Sequence, residues 1–95
     1  MDTLQDTFTY RGMTIPTDML VSLNLYVSAR QPPGGFLTAV LCNNLKAAVL
    51  SADPMNLKVL PAFVIYCYNE IPSICWGSSK KVDDWIAGLD IEDEI

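Results

Sequence analysis

Apolar and polar residues alternate near the start of the chain. The side chains of a strand point alternately to its two faces, so this spacing predicts a small hairpin or an extended arm within residues 1–15. The alternating apolar positions are Phe8, Tyr10, Met13 and Ile15, with Arg11-Gly12 between them.

From residue 17 the apolar spacing becomes that of a helix. Leu20, Leu23 and Val27 mark one face, and the sequence "RQPP" ends the pattern. Thr17 can cap this helix, and Asp18 suits its positive N-terminal end. The pattern predicts a first helix near residues 17–30.

A second helical pattern covers "GGFLTAVLCNNLKAAVLSA" without a proline. Its apolar arc is too broad for a lightly buried surface helix, so we expect one central helix here. The predicted buried stripe contains Leu37, Leu41, Leu45 and Ala48, widened by Phe36, Val40 and Val49.

A third helix is predicted to begin at Asp53-Pro54, which supplies a cap and a proline at the first helical position. The helical period continues through Leu57, Leu60, Val64 and Cys67. Pro61 lacks an N–H and clashes with the preceding turn, so a kink or a break is expected, and a kink is favoured.

A fourth helix follows the turn "PSICWG", with Ser78 or Ser79 as its cap. Val82, Trp85, Ile86 and Leu89 have helical spacing. The patterns together predict an all-α single domain over residues 1–95. It is a compact bundle of about four helices with an N-terminal arm (1–15) and an acidic tail (90–95).

The composition also indicates which kinds of partner the chain is expected to have. The apolar share is 51%, above the ~45–50% typical of soluble domains, which favours a homo-oligomer. The net charge is −5, but four of the eleven acids lie in the last six residues, which leaves seven acids against six bases. This tail is interpreted as aiding solubility rather than as a DNA mimic, and no direct DNA or RNA binding is expected.

The residue types argue against catalysis and metal binding. The chain has no histidine and three cysteines without C-x-x-C spacing, so no cofactor, no metal site and no catalytic residue is assigned. Cys42 and Cys67 fall on or beside apolar stripes and are expected in the core. We expect a reduced, non-enzymatic protein of the cytoplasm, without a signal peptide or a membrane span.

Two helix entrances are candidate anion sites. Arg30 precedes Gly34-Gly35 at the start of the second helix, and Ser78, Ser79, Lys80 and Lys81 start the fourth. Lysines in a first turn oppose the helix dipole, and a bound phosphate or carboxylate would reverse that effect. The alternative is that these lysines are solvated or pair with Asp83 and Asp84.

Polar and aromatic residues could complete a ligand pocket. Asparagine is a poor helix former, so these side chains are expected to be exposed, paired between helices, or lining a pocket. Trp76 can act as a hydrophobic staple or can stack on a base. The candidates are Asn43, Asn44, Tyr66, Tyr68, Asn69 and Trp76, with Asn24 on the first helix.

The segments "GGFLTAVLCNNLKAA" and "YNEIPSICWGSSKKVDDWIAG" resemble a group of small proteins encoded by tailed bacteriophages and prophages. The resemblance covers about residues 15–89, and Cys42-Asn43-Asn44 departs from the Ser-Asn-Asp of that group. It implies an accessory phage product in the bacterial host cytoplasm and transfers no functional residue.

The leading functional hypothesis is a counter-defence protein that sequesters a small anionic, nucleotide-derived host immune signal. Phosphate would bind the two helix entrances, and Tyr66, Tyr68 or Trp76 would stack on a base. The alternatives are direct inhibition of a host defence complex or enzyme, in the manner of an anti-CRISPR protein, or a self-associating structural module.

Overall fold

The computed structural model describes residues 7–89. The predicted acidic tail and the first six residues of the predicted arm lie outside the described residues. A two-stranded antiparallel hairpin comes first, with β1 (Thr9–Tyr10) paired to β2 (Met13–Thr14). Arg11 and Gly12 both have positive φ, 52° and 81°, which is the geometry of a tight type I′ turn. The predicted hairpin is therefore confirmed.

Six α-helices follow within residues 7–89, so the predicted mostly helical fold is confirmed with two more helices than expected. They are α1 (Thr17–Ala29), α2 (Gly35–Leu41), α3 (Leu45–Ser51), α4 (Pro54–Lys58), α5 (Leu60–Glu70) and α6 (Ser79–Ile86), with a 3₁₀ turn at Ser73–Cys75 before α6. None of these helices is long and apolar enough to cross a membrane.

The first helix begins as predicted, but Thr17 is not its cap. Pro16 occupies the N-cap position and no side chain caps the helix. Proline has no N–H and a φ suited to a helix start, so it ends the extended segment directly before α1. Arg30, in a left-handed conformation with φ 56°, ends α1.

The predicted second helix is wrong as one continuous element, because it breaks at Asn43. Asn43 has φ 61°, and asparagine is one of the few residues that adopt this left-handed conformation readily. Asn44 then caps α3, its side chain accepting a hydrogen bond from the N–H of Ala47 at 3.1 Å. Asn43 therefore ends one helix and Asn44 caps the next, where the pattern predicted one continuous helix.

The predicted third helix breaks rather than kinks. Val59 leaves helical geometry with φ −113°, and Pro61 lies in the first turn of α5, where its missing N–H costs nothing. Asp53 caps α4 as predicted, accepting from the N–H of Asn56 at 2.8 Å.

The core lies between α1, α2, α5 and α6 and includes aromatic pairs. Phe36 packs edge-to-face on Phe63 with ring centroids 5.0 Å apart, and Phe8 packs on Tyr66 at 5.1 Å. Tyr26 connects three elements: its hydroxyl donates to the Cys75 carbonyl at 2.7 Å, and its own carbonyl accepts from Trp85 Nε1 at 2.8 Å. These contacts fix the 3₁₀ turn and α6 against α1.

Candidate interaction surface

A shallow groove lies between α2, α3 and α5. The space that it encloses is about 40 Å³. The lining consists of apolar side chains and two amides, with no ionisable group. The lining residues are Ala39, Val40, Asn43, Asn44, Leu45, Ala48, Leu60 and Val64.

Helix α3 buries its small side chains and exposes its large ones. Ala48 is 2% exposed, whereas Leu45 and Leu50 are 67% and 74% exposed and Val49 is 40% exposed. An ordinary surface helix does the reverse, because its large apolar residues face the core. We call the groove together with Leu45 and Val49, which lie about 40° apart on α3, the α3 surface.

The break at Asn43 explains why α3 exposes its large apolar side chains. In one continuous helix Leu45 and Val49 would lie on the apolar arc of Leu37 and Leu41, as the sequence predicted. The left-handed residue changes the direction of the chain, so this part of the predicted buried stripe is wrong. Apolar exposure continues on α4, where Met55 is 57% and Leu57 46% exposed.

The predicted entrance at α6 forms, and its lysines are engaged within the chain. Ser78 is the cap, its hydroxyl accepting from the Lys81 N–H at 3.2 Å. Lys80 Nζ lies 2.7 Å from Asp84 Oδ2, which is the predicted alternative to anion binding. Lys81 Nζ donates to the Ser73 carbonyl at 3.1 Å and so ties α6 to the 3₁₀ turn. Ser79 is exposed.

The other predicted entrance is formed by Gly34, the cap of α2, and Gly35. A Cβ at either glycine would meet nothing within 4 Å, so packing does not require glycine there. Arg30 stacks on Trp85, with its guanidinium carbon 3.7 Å from the ring centroid, and donates to the Trp85 carbonyl at 3.0 Å. Trp85 lies about 9 Å along α6 from its first residue, at 1.5 Å per residue. Arg30 is thus placed apart from the N-terminal end of α6.

The predicted stacking residues differ in access. Tyr66 is fully buried and its hydroxyl donates to Asn24 Oδ1 at 2.7 Å, so its ring does not face solvent. Tyr68 is 75% exposed, and Asn69 is also exposed. Trp76 is half-buried against the core. Of the predicted site residues, the groove brings together Asn43 and Asn44.

The thiols belong to the interior. Cys67 and Cys75 are buried and Cys42 is half-buried, so the predicted core position is confirmed for Cys67. Burial raises the pKa of Cys67 from 9.0 to about 12 and that of Cys75 to about 11. Burial raises the pKa of Cys42 as well. No group of three or more metal-ligating side chains occurs among residues 7–89.

Comparisons with protein-family models, curated proteins and solved structures find no match to this chain. The resemblance to phage accessory proteins therefore stays a prediction.

Sequence reasoning missed the α3 surface. The apolar period predicts core positions for Leu45 and Val49, which are exposed. The Asn-Asn pair in the middle of an apolar helix was the available signal, because asparagine favours helix caps and left-handed positions over helix interiors. If Asn43 is interpreted as the end of one helix and Asn44 as the cap of the next, the sequence predicts a change of chain direction before α3.

Proposed function

We propose that this chain is a non-enzymatic binding protein that acts by contact with another protein through the α3 surface. The observation that carries the proposal is the exposed apolar face of α3 beside the groove, where Leu45 is 67% and Val49 40% exposed. Fully covering one such side chain is worth about 1.5–3 kcal/mol. A partner that covers both gains a substantial part of a binding free energy.

The size and chemistry of the groove favour a protein partner over a small anion. The space that it encloses, about 40 Å³, is far below the roughly 300–1,000 Å³ of typical ligand clefts. Its lining offers two amides and no cation to a phosphate. An apolar side chain from a partner, inserted between Leu45 and Val64, suits this lining better.

The resemblance to phage accessory proteins supplies the setting. In that setting the chain would work in the cytoplasm of an infected bacterium and would block a component of host defence. Such blocking requires contact alone, which suits a chain without histidine.

The proposal is tested in bacteria that carry single defence systems and are challenged with phage. Expression of the wild-type chain should raise plating efficiency against at least one system, and the combined substitution Leu45→Glu and Val49→Glu should abolish that effect. Val21→Glu is the matched control, because Val21 is a 51% exposed apolar residue on α1. Equal protection by the folded double variant would refute the proposal.

Capture of a small anionic, nucleotide-derived signal is the second candidate. Its support is the positive N-terminal end of α6 with the exposed Ser79, next to Lys81, whose Nζ donates to the Ser73 carbonyl. A ligand present at 100 times its Kd should add about 2.7 kcal/mol of stability. Thermal melts with a panel of linear and cyclic nucleotides test this, with Lys81→Ala as the site variant. No stabilisation by any nucleotide, or the same stabilisation of Lys81→Ala, would contradict a site at α6.

A further inference from the structure

Two of the six cations of this chain make no polar contact within residues 7–89. These are Lys46 and Lys58, which are exposed and whose ammonium groups have no ion pair, hydrogen bond or ring contact there. The other four are engaged within the protein. They are Arg11 over the Tyr10 ring, Arg30 over the Trp85 ring, Lys80 paired with Asp84, and Lys81 bound to the Ser73 carbonyl. Lys46 and Lys58 are therefore the cations left to a partner.

Both of these lysines flank the groove of the α3 surface. Lys46 follows Leu45 on α3, and Lys58 precedes Leu60 by two residues. Leu45 and Leu60 both line the groove. Asp53 is the one acid between residues 45 and 64, and its carboxylate caps α4. The border of the apolar groove therefore carries two ammonium groups that no acid of the described chain neutralises.

An amide in the groove adds a donor to these two. Asn44 uses its Oδ1 to accept the Ala47 N–H at 3.1 Å, so the end of this amide without a contact in residues 7–89 is its NH₂ group. Asn43 is exposed and can donate or accept. Ammonium groups only donate, and ionised carboxylates only accept. The polar groups at this groove therefore suit a partner with carboxylates better than one with lysine and arginine.

We infer that the partner of the α3 surface is an acidic protein segment that places an aliphatic side chain in the groove and carboxylates beside Lys46 and Lys58. The inference rests on the proposed function, since it names the chemistry of the protein that this surface contacts. Burial of the apolar side chains supplies most of the affinity. Charges at the border of an interface mainly decide which partner is accepted and how fast it associates. A basic segment would bring like charges together there, which is unfavourable.

Selection from a display library of short random peptides tests the inference. Peptides that bind the wild-type chain but not the folded Leu45→Glu, Val49→Glu chain should be rich in Asp and Glu and should share an aliphatic residue. Their affinity should fall roughly two- to fivefold for Lys46→Gln and for Lys58→Gln, as expected of exposed charge pairs. This loss should shrink at high salt, which screens the charges. Gln31→Glu is the matched control, because it changes the net charge equally at an exposed position outside the α3 surface.

Three results with these peptides would overturn the inference. They are selected peptides that are neutral or basic, no peptide that depends on Leu45 and Val49, and an equal fall in affinity for Gln31→Glu. Vesicles of phosphatidylcholine and phosphatidylserine test the other apolar and anionic occupant. Binding to these vesicles that Leu45→Glu, Val49→Glu abolishes, without selection of acidic peptides, would assign the surface to a lipid and overturn the inference.

The same variants separate this inference from the proposed function. Neutral or basic peptides selected at the α3 surface, with phage protection lost in the Leu45→Glu, Val49→Glu chain, would overturn the inference and leave the proposed function standing. Acidic peptides selected there, with phage protection unchanged in that chain, would support the inferred chemistry of the partner and refute the proposed function.

Discussion

Removing the hydroxyl of Tyr26 tests how the segment before α6 is held. Tyr26 is 0% exposed and its hydroxyl donates to the Cys75 carbonyl at 2.7 Å, so Tyr26→Phe leaves that carbonyl buried without this donor. An unsatisfied buried acceptor costs about 1–3 kcal/mol. The aromatic ring stays, so its packing near Trp85, at 6.5 Å between centroids, should change little. We expect Tyr26→Phe to destabilise the chain by about 2 kcal/mol.

Urea unfolding followed by circular dichroism measures this loss. With a slope of about 1–2 kcal/mol per M, the midpoint should fall by roughly 1–2 M. Tyr68→Phe is the matched control, because that phenol is 75% exposed and its removal should cost less than about 0.5 kcal/mol. A Tyr26→Phe chain as stable as Tyr68→Phe would refute the assigned role of the Tyr26 hydroxyl.

Two further predictions concern the thiols and the break between α2 and α3. Burial raises the pKa of Cys67 to about 12 and of Cys75 to about 11, above the ordinary 9.0, so the unfolded chain ionises these thiols first as pH rises. The stability that these protonated thiols contribute is complete below pH 9 and is lost toward pH 11–12, by about 1.4 kcal/mol per pH unit for each thiol. The urea midpoint should therefore be lower at pH 10 than at pH 8. Equal midpoints would contradict the burial of these thiols. Asn43 has φ 61°, so Asn43→Gly should leave the melting temperature unchanged or raise it, whereas Asn43→Val should cost about 1–2 kcal/mol. Equal melting temperatures for the two variants would show that residue 43 is not left-handed.

Local sequence signals predicted the elements that local chemistry determines. The hairpin follows from alternation around Arg11-Gly12, and the caps at Asp53 and Ser78 follow from short side chains that accept backbone N–H groups. Helix period also placed Leu20, Leu23 and Val82 in the core. Each of these features depends on residues within a few positions of one another.

The errors arose where periodicity was extended through a residue that stops a helix. The apolar period runs without interruption through Asn43-Asn44 and through Val59, but the backbone does not. The contact between Arg30 and Trp85 was missed for a different reason. The two residues lie 55 positions apart, so no local pattern reveals that the guanidinium stacks on the Trp85 ring. The Asn43-Asn44 pair signals the break, but the side of α3 that is then exposed depends on how α3 packs against α2, which no local pattern reveals.

Photo-crosslinking in infected cells tests the central claim about the α3 surface most directly. A benzoylphenylalanine residue at position 45 reports on that surface, and the same residue at position 21 reports on an equally apolar, exposed position of α1. We predict crosslinked adducts to another protein from position 45 and few from position 21. Equal adducts from both positions, or none from position 45, would contradict the assignment of α3 as the binding surface.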